Sequence, residues 1–149
     1  FSESEKEALN CAWHRLDPWP DAIAGLERLK QRYMIGTLSN GNIALIANMA
    51  KYARLPWDVI LGAEIARAYK PQPQAYLGSA AALSLKPQQC MLVAAHNSDL
   101  KAALDCGFRT AFVERPFEHG PDQSTDLVAS GHYDFIASDF VDLATQLKC

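Results

Sequence analysis

Short apolar runs alternate with helical stretches along most of this chain, and this alternation limits the possible folds more than any other feature. An apolar run with no polar alternation is typical of a parallel strand, because crossover helices cover both faces of such a sheet. The sequence therefore predicts an α/β fold whose parallel sheet has helices on both faces. The predicted strands are Tyr33–Leu38, Val59–Gly62, Cys90–Ala95, Thr110–Val113 and Phe135–Ala137. The predicted helices between and after them are Asn42–Ala53, Pro73–Ser84, Ser98–Cys106 and Phe140–Leu147.

Two further helices are predicted before the first apolar run. Ser2 and Glu5 have the spacing of a capping box, which predicts a helix as far as about Arg15. Two nearby prolines end that helix, and Asp21 is predicted to cap the next one. The one long irregular stretch, Arg115–Gly131, is predicted to be a loop over the sheet edge.

Composition excludes several classes of protein. The 149 residues suffice for one domain, and the net charge of −3 provides no basic surface for nucleic acid. No apolar run approaches the roughly 20 residues that span a bilayer. The four cysteines have neither metal-site nor disulfide spacing, so we expect a reducing, cytoplasmic setting and no metal or cofactor.

Polar side chains stand where three of the predicted strands end, which is where parallel sheets bind ligands. Ser39 and Asn40 follow the first strand and could orient an anion at a helix N-terminus, although capping and turn formation explain them equally well. Lys70 follows the second strand and precedes a proline, with Tyr76 one turn into the next helix. The third strand ends in His96, Asn97, Ser98 and Asp99. Asp99 could serve only as a cap, but three polar strand ends in succession favour a site.

These strand ends carry a family resemblance. TLSNGN, ARAYKP and VAAHNSDL, in this order and spacing, resemble the haloacid dehalogenase superfamily, and more narrowly its type II 2-haloacid dehalogenases. LDPWPD, LPWDVILGAE and GFRTAFVERP extend the resemblance over essentially the whole chain. It implies a Rossmann-like core at residues 17–149, preceded by the end of a helical cap subdomain at residues 1–16.

The resemblance also implies roles for individual residues. In that family an aspartate displaces halide from C2 of the substrate, and water then hydrolyses the resulting ester. By resemblance, Lys70 neutralises the nucleophile, while Asp99 pairs with this lysine and positions the water. Ser39 and Asn40 are implied to position the substrate carboxylate. Tyr76, His96 and Asn97 fall on positions that line the substrate region.

Two alternatives stay open at this point. Phosphatases of the superfamily hold Mg²⁺ and usually have a further acid where Ala95 stands, so this chain has a poor magnesium site and favours the metal-free dehalogenase. A noncatalytic flavodoxin-like module is the other alternative. Such a module would not need polar residues at three separate strand ends, and their presence therefore favours an enzyme.

The nucleophile motif of the family, D-x-[FY]-G-T, does not occur in these 149 residues. The chain starts at Phe1, directly before a predicted helix, and we expect it to be the carboxyl-terminal portion of an enzyme and inactive alone. In the family the motif's strand lies at the sheet centre, between the strands that correspond to Tyr33–Leu38 and Cys90–Ala95. Without it two strand edges have no partner. We therefore expect a retained amino-terminal segment, a strand-exchanged homodimer, or a protein described only in part.

Overall fold

The computed structural model describes residues 1–149, with seven helices and three strands. The helices are α1 Glu3–Ala12, α2 Ala22–Lys30, α3 Ile43–Ala53, α4 Ala63–Ala66, α5 Pro73–Ala82, α6 Asn97–Asp105 and α7 Phe140–Gln146. The strands are β1 Met91–Ala94, β2 Arg109–Val113 and β3 Phe135–Ala137, and two short 3₁₀ turns cover Trp13–Arg15 and Pro87–Gln89. None of the helices combines the length and the apolar character needed to cross a membrane.

The three strands form one parallel sheet in the order β1-β2-β3. Val93 of β1 lies opposite Ala111 of β2, and Phe112 of β2 lies opposite Ile136 of β3. Helices follow β1 and β3 directly, so the chain has the predicted α/β organisation with a parallel sheet. The predicted third, fourth and fifth strands are confirmed to within one or two residues.

The first two predicted strands are wrong as regular strands. Gly36 and Val59 form a single parallel bridge, and the backbone around them is joined by a few hydrogen bonds, including Thr37 N to Val59 O at 3.3 Å. The side chain of Thr37 completes the pairing, because its hydroxyl donates to Leu61 O and accepts from Leu61 N. An edge pair with no third strand beside it has too few ladder bonds to stay regular.

The paired segment at Ile35–Thr37 makes no backbone hydrogen bond to β1, and β1 pairs only with β2. The sheet therefore exists in two pieces. Ile35 and Val93 nevertheless pack against the same apolar cluster, and Leu38 and Ala94 pack against another. The two segments thus border the same cores while each has one edge without a backbone partner.

The apolar cores lie on the two faces of the sheet. One contains Tyr76, Leu100, Phe108 and Phe112, which α5, α6, β2 and the turn before β2 contribute. The other is built from α2, α7 and the β2 and β3 residues that point the opposite way: Leu26, Leu29, Ala111, Val113, Ala137, Leu143 and Ala144. Alternate β2 residues serve opposite cores, as a strand covered on both faces requires.

The predicted capping box is confirmed. Glu5 N donates to the Ser2 hydroxyl while Ser2 N donates to the Glu5 carboxylate, which completes the capping box. Gly107 has φ +84° at the end of α6, in the left-handed region that glycine tolerates best. No residue of α1 is buried, and the predicted domain boundary at residue 16 stays a prediction.

Asp21 precedes α2 as predicted, but its side chain does not cap that helix. Its carboxylate instead accepts from the backbone N–H of Phe140 and from the Arg115 guanidinium, each at 2.8 Å. Arg115 is only 9% exposed and lies over the rings of Trp19 and Phe140. One ion pair therefore joins α2, the start of α7 and the loop after β2.

Candidate functional site

Lys70, Tyr76 and Asp99 meet at the carboxyl-terminal end of β1. The Lys70 ammonium lies 2.5 Å from Asp99 Oδ2, and the Tyr76 hydroxyl donates to Asp99 Oδ1 at 2.5 Å. The lysine and aspartate side chains are 21% and 13% exposed. Asp99 stands in the first turn of α6, whose free N–H groups favour a carboxylate there. Both of its oxygens are thus occupied by donors from α5 and the segment before it.

Tyr76 is fully buried and contacts the site only through its hydroxyl. Burial, followed by the hydrogen bond to Asp99 and the charge of that carboxylate, raises the pKa of Tyr76 far above its usual value. The hydroxyl therefore remains a donor to Asp99 over the whole neutral range. The resemblance implies that this side chain lines the substrate region, which stays a prediction; in the structure its hydroxyl bonds to the Asp99 carboxylate.

Asn40 holds the backbone of Lys70 from both sides. Its amide nitrogen donates to Lys70 O at 3.2 Å, and Lys70 N donates to its oxygen at 2.7 Å. This pair of bonds fixes where the lysine side chain starts. Asn40 is therefore a positioning residue for Lys70 in this geometry.

Ser39 turns toward its own loop, where its hydroxyl accepts from Gly41 N at 3.0 Å. The helix that follows is capped by Asn42, whose oxygen accepts from Leu45 N. Another free N–H at this helix start, that of Ile43, donates to the Glu64 carboxylate. The carboxylate at this N-terminus is thus that of Glu64, and substrate contact by Ser39 stays a prediction.

His96 and Asp99 line an open cavity of about 350 Å³. The other lining residues are Asn40, Lys70, Pro71 and Ser98. His96 Nε2 lies 3.0 Å from Oε2 of Glu118, and Glu118 belongs to the long loop after β2. The cavity wall is entirely polar or charged apart from one proline, so it suits a small anionic ligand beside the Lys70 ammonium.

Asn97 points away from this cavity. Its amide donates to Asp126 Oδ1 and Val128 O, and its oxygen accepts from Ser130 N and the Tyr133 hydroxyl. Its backbone N–H also donates to Asp126. The Asn97 side chain thus attaches the loop to α6. Substrate contact by this residue stays a prediction.

Two residues at this site were not predicted from the sequence: Glu118 and Glu64. Glu118 lies 22 residues from its partner His96, within a loop that has no periodic pattern. Glu64 lies 21 residues from Ile43. Only the adjacent pair Glu118–His119, a carboxylate beside an imidazole, could have drawn attention to that loop.

The chain is similar to several known proteins. A family model described as haloacid dehalogenase-like hydrolase matches residues 2–107. The (S)-2-haloacid dehalogenase 4A of Burkholderia cepacia is 33% identical over 113 residues, which are 74% of this chain and 49% of that protein. The haloacetate dehalogenase H-2 of Moraxella sp. (strain B) is 28% identical over 104 residues, 68% of this chain and 46% of that protein. The chain therefore spans about half the length of the curated relatives it matches.

A crystal structure of a defluorinating L-2-haloacid dehalogenase superposes on the whole of this chain with a TM-score of 0.98 and 52% identity. This chain covers 61% of that structure. Another L-2-haloacid dehalogenase structure superposes over 99% of the chain with a TM-score of 0.97 and 51% identity, and 64% of it is covered. The chain belongs to the haloacid dehalogenase-like hydrolase family.

Proposed function

We propose that the protein to which this chain belongs hydrolyses short 2-haloacids. The observation that carries the proposal is the Lys70–Asp99–Tyr76 cluster beside a polar cavity, in a chain about half identical to two L-2-haloacid dehalogenases. An ammonium at such a cavity attracts the carboxylate of a haloacid and stabilises negative charge that develops during the reaction.

The proposed reaction has two steps and needs an additional carboxylate. An aspartate oxygen attacks C2 and forms a C–O bond, while the carbon–halogen bond breaks and halide leaves with the electron pair. Water then attacks the carbonyl carbon of the ester, which frees a 2-hydroxyacid and the aspartate. Lys70 stabilises the charge on the aspartate, and Asp99 holds Lys70 and orients the water.

Asp99 itself is a poor candidate for the nucleophile. Each of its oxygens accepts a hydrogen bond, one from Lys70 and one from buried Tyr76, which lowers the electron density available for attack. We therefore propose that the nucleophile arrives on a strand that pairs with the free edges of Ile35–Thr37 and β1. Parallel pairing there places its carboxyl end beside Lys70. An amino-terminal segment of the full protein, from the same copy or by strand exchange from a second one, supplies this strand.

A magnesium-dependent phosphatase is the weaker alternative. Mg²⁺ needs several oxygen ligands in octahedral geometry. Beside Asp99 the position available for another acid is Ala95, and the Lys70 ammonium already neutralises the one carboxylate. This donor set fits a cation poorly, and we expect the dehalogenation to proceed without added metal.

The test is halide release from 2-chloropropionate in the presence of EDTA. We expect no release from this chain alone and release once the amino-terminal segment of the full protein is added. In the full protein, Lys70→Met should lower the rate at least about 100-fold, because one charge-stabilising donor is lost. Lys101→Met is the matched control, since this exposed lysine pairs only with Asp105 on the outer face of α6.

Three outcomes would contradict the proposal. Release by this chain alone would mean that a residue within 1–149 is the nucleophile. Full activity of the Lys70→Met variant would remove Lys70 from the chemistry. Phosphate release that requires Mg²⁺, without halide release, would favour the phosphatase.

A further inference from the structure

We propose that His96, Glu118 and His119 form a binding site for a divalent transition-metal ion of the Zn²⁺ type. The ligating atoms of these three side chains all lie within 4.8 Å of one another. His96 Nε2 is 3.0 Å from Glu118 Oε2. The two imidazole rings are nearly parallel, with centroids 6.1 Å apart and an interplanar angle of 11°. Two imidazoles and one carboxylate therefore converge on a single volume.

This donor set selects among metals. Neutral imidazole nitrogen and carboxylate oxygen are ligands that Zn²⁺ accepts at about 2.0–2.2 Å, which places ligand atoms on one tetrahedral ion about 3.3 Å apart. The His96–Glu118 pair at 3.0 Å is close to that spacing, and a ring nitrogen of the exposed His119 lies within 4.8 Å of both ligand atoms. Mg²⁺ and Ca²⁺ prefer oxygen ligands throughout, so this site is not suited to them. With three protein ligands, a fourth position is left for water or an exogenous ligand.

The ligands come from two segments, each held in place by other contacts. His96 stands at the start of α6, directly after β1. Glu118 and His119 lie in a hydrogen-bonded turn in which Gly120 N donates to Phe117 O and His119 N donates to the Gln123 side chain. The turn is anchored at its base by Arg115, through the buried ion pair with Asp21. A site on two anchored segments is largely preorganised, so little ordering entropy opposes binding.

The site lies at the rim of the proposed active-site cavity, because His96 is shared between them. A bound ion would join the loop after β2 to the end of β1. None of its three proposed ligands belongs to the Lys70–Asp99–Tyr76 cluster, and the ion is not required for the proposed dehalogenation. The simpler alternative is that Glu118 only pairs with His96, and His119 has no part in binding. His119 therefore separates the two explanations.

The experiment measures the Zn²⁺ affinity of the full protein by competition with a chromophoric chelator. The protein is first freed of metal with EDTA, which is then removed. We expect one ion per chain and a loss of affinity of at least about tenfold in His119→Ala and in His96→Ala. His14→Ala and His132→Ala are matched controls that should bind as the unchanged chain does. Because His119 is exposed and its side chain has no hydrogen bond, its replacement should leave the fold intact.

Replacement of Zn²⁺ by Co²⁺ distinguishes this site from one made by the four free cysteines. The proposed ligands should give ligand-field absorption without a thiolate charge-transfer band. Zn²⁺ should also slow amide exchange in residues 115–123 of the unchanged chain but not of His119→Ala. Unaltered Zn²⁺ affinity in His119→Ala, no binding at all, or a thiolate band would overturn the proposal.

Discussion

Asp99 shows how much one residue's surroundings determine what it does. A carboxylate in the first turn of a helix would ordinarily cap that helix. Here its oxygens instead accept from Lys70 and Tyr76, which come from a different part of the chain. A carboxylate that is 13% exposed retains its charge only when such donors compensate for lost hydration. The residue that pairs with Lys70 is thus also the one that holds Tyr76 in place.

Tyr76→Phe should lower the stability of this chain at neutral pH by about 1–3 kcal/mol, because one oxygen of Asp99 loses its donor. Burial and the bond to Asp99 raise the pKa of Tyr76 above 10.0, its usual value. A raised pKa in the folded state means that the stabilisation is complete below the unfolded-state pKa and is lost as pH rises above it. We measure the free energy of unfolding with urea at pH 7 and above pH 10. Between these two pH values it should fall less in Tyr76→Phe than in the unchanged chain.

The control for this substitution is Tyr52→Phe, which alters an exposed ring with no hydrogen bond to the site. It should change neither the free energy of unfolding at pH 7 nor the decrease of that free energy between pH 7 and pH values above 10. If the free energy of unfolding decreased equally with pH in the unchanged chain and in Tyr76→Phe, the buried hydroxyl would not be the source of the decrease.

At the scale of elements, two polar side chains join pieces that hydrophobic packing alone leaves loosely attached. Asn97, at the start of α6, bonds to four groups of the segment between Asp126 and Tyr133. Asp21 joins α2 to α7 and to Arg115. Both side chains connect irregular loops to regular elements, since loop backbone has few partners of its own.

Asn97→Ala should lower the free energy of unfolding by about 2 kcal/mol or more, because several partly buried partners lose their hydrogen bonds. Amide exchange should accelerate most in residues 126–133. Ser98→Ala, the adjacent exposed position, is the control and should leave this exchange unchanged. Unaltered protection of residues 126–133 in Asn97→Ala would contradict the attachment.

Asp21→Asn should destabilise the chain by about 3 kcal/mol at pH 7, since Arg115 is left as a buried, unpaired cation. Burial raises the pKa of Asp21, but the hydrogen bonds from Phe140 N and Arg115 outweigh it, so the pKa lies below the usual 3.8. A lowered pKa means that the stabilisation is present above the unfolded-state pKa and is lost as pH falls through the folded-state pKa.

The difference between the unchanged chain and Asp21→Asn should therefore shrink at pH values below about 3.8. Urea midpoints at pH 7 and pH 3 measure this. Asp17→Asn, an exposed aspartate without a partner, is the control and should follow the unchanged chain at both values. A constant difference across this range would show that charge is not the source of the effect.

At the scale of the whole molecule, the sheet is interrupted while the cores on its two faces are continuous. Ile35 and Val93 border one core, and Leu38 and Ala94 border the other, yet no backbone bond joins these two segments. Unpaired edges in the middle of a sheet expose polar backbone to water next to apolar cores. A further strand that pairs with both edges would remove this cost.

If a further strand pairs with both free edges in the full protein, this chain without that strand should form a dimer or be only marginally stable. Addition of the amino-terminal segment of the full protein should raise its melting temperature by more than about 4 °C, because a partner that binds only the folded state stabilises it. Sedimentation should show any dimer converting to a complex of chain and segment. A monomer whose melting temperature the segment does not change would contradict the proposal.

Much of this organisation could be predicted from short-range patterns. Helical spacing and capping residues are local, so α1, α3, α5 and their boundaries were predictable. The pairing of Lys70 with Asp99 was implied by the family resemblance, and strand-end position alone indicated only that a site lies at this edge of the sheet. The pattern of apolar runs failed at Tyr33–Leu38 and Val59–Gly62, where a strand needs neighbours that local residues do not specify.

By itself, the sequence determined the element order, the parallel α/β class and the strand ends at which the site lies, since propensity, capping and periodicity act over a few residues. Only the tertiary structure decided that Asn97 serves the loop, that Glu64 occupies the α3 N-terminus, and that His96 meets Glu118. These contacts join residues 21 to 29 positions apart. Their partners are selected by how whole elements pack, because a polar side chain bonds to whichever group the fold brings within reach.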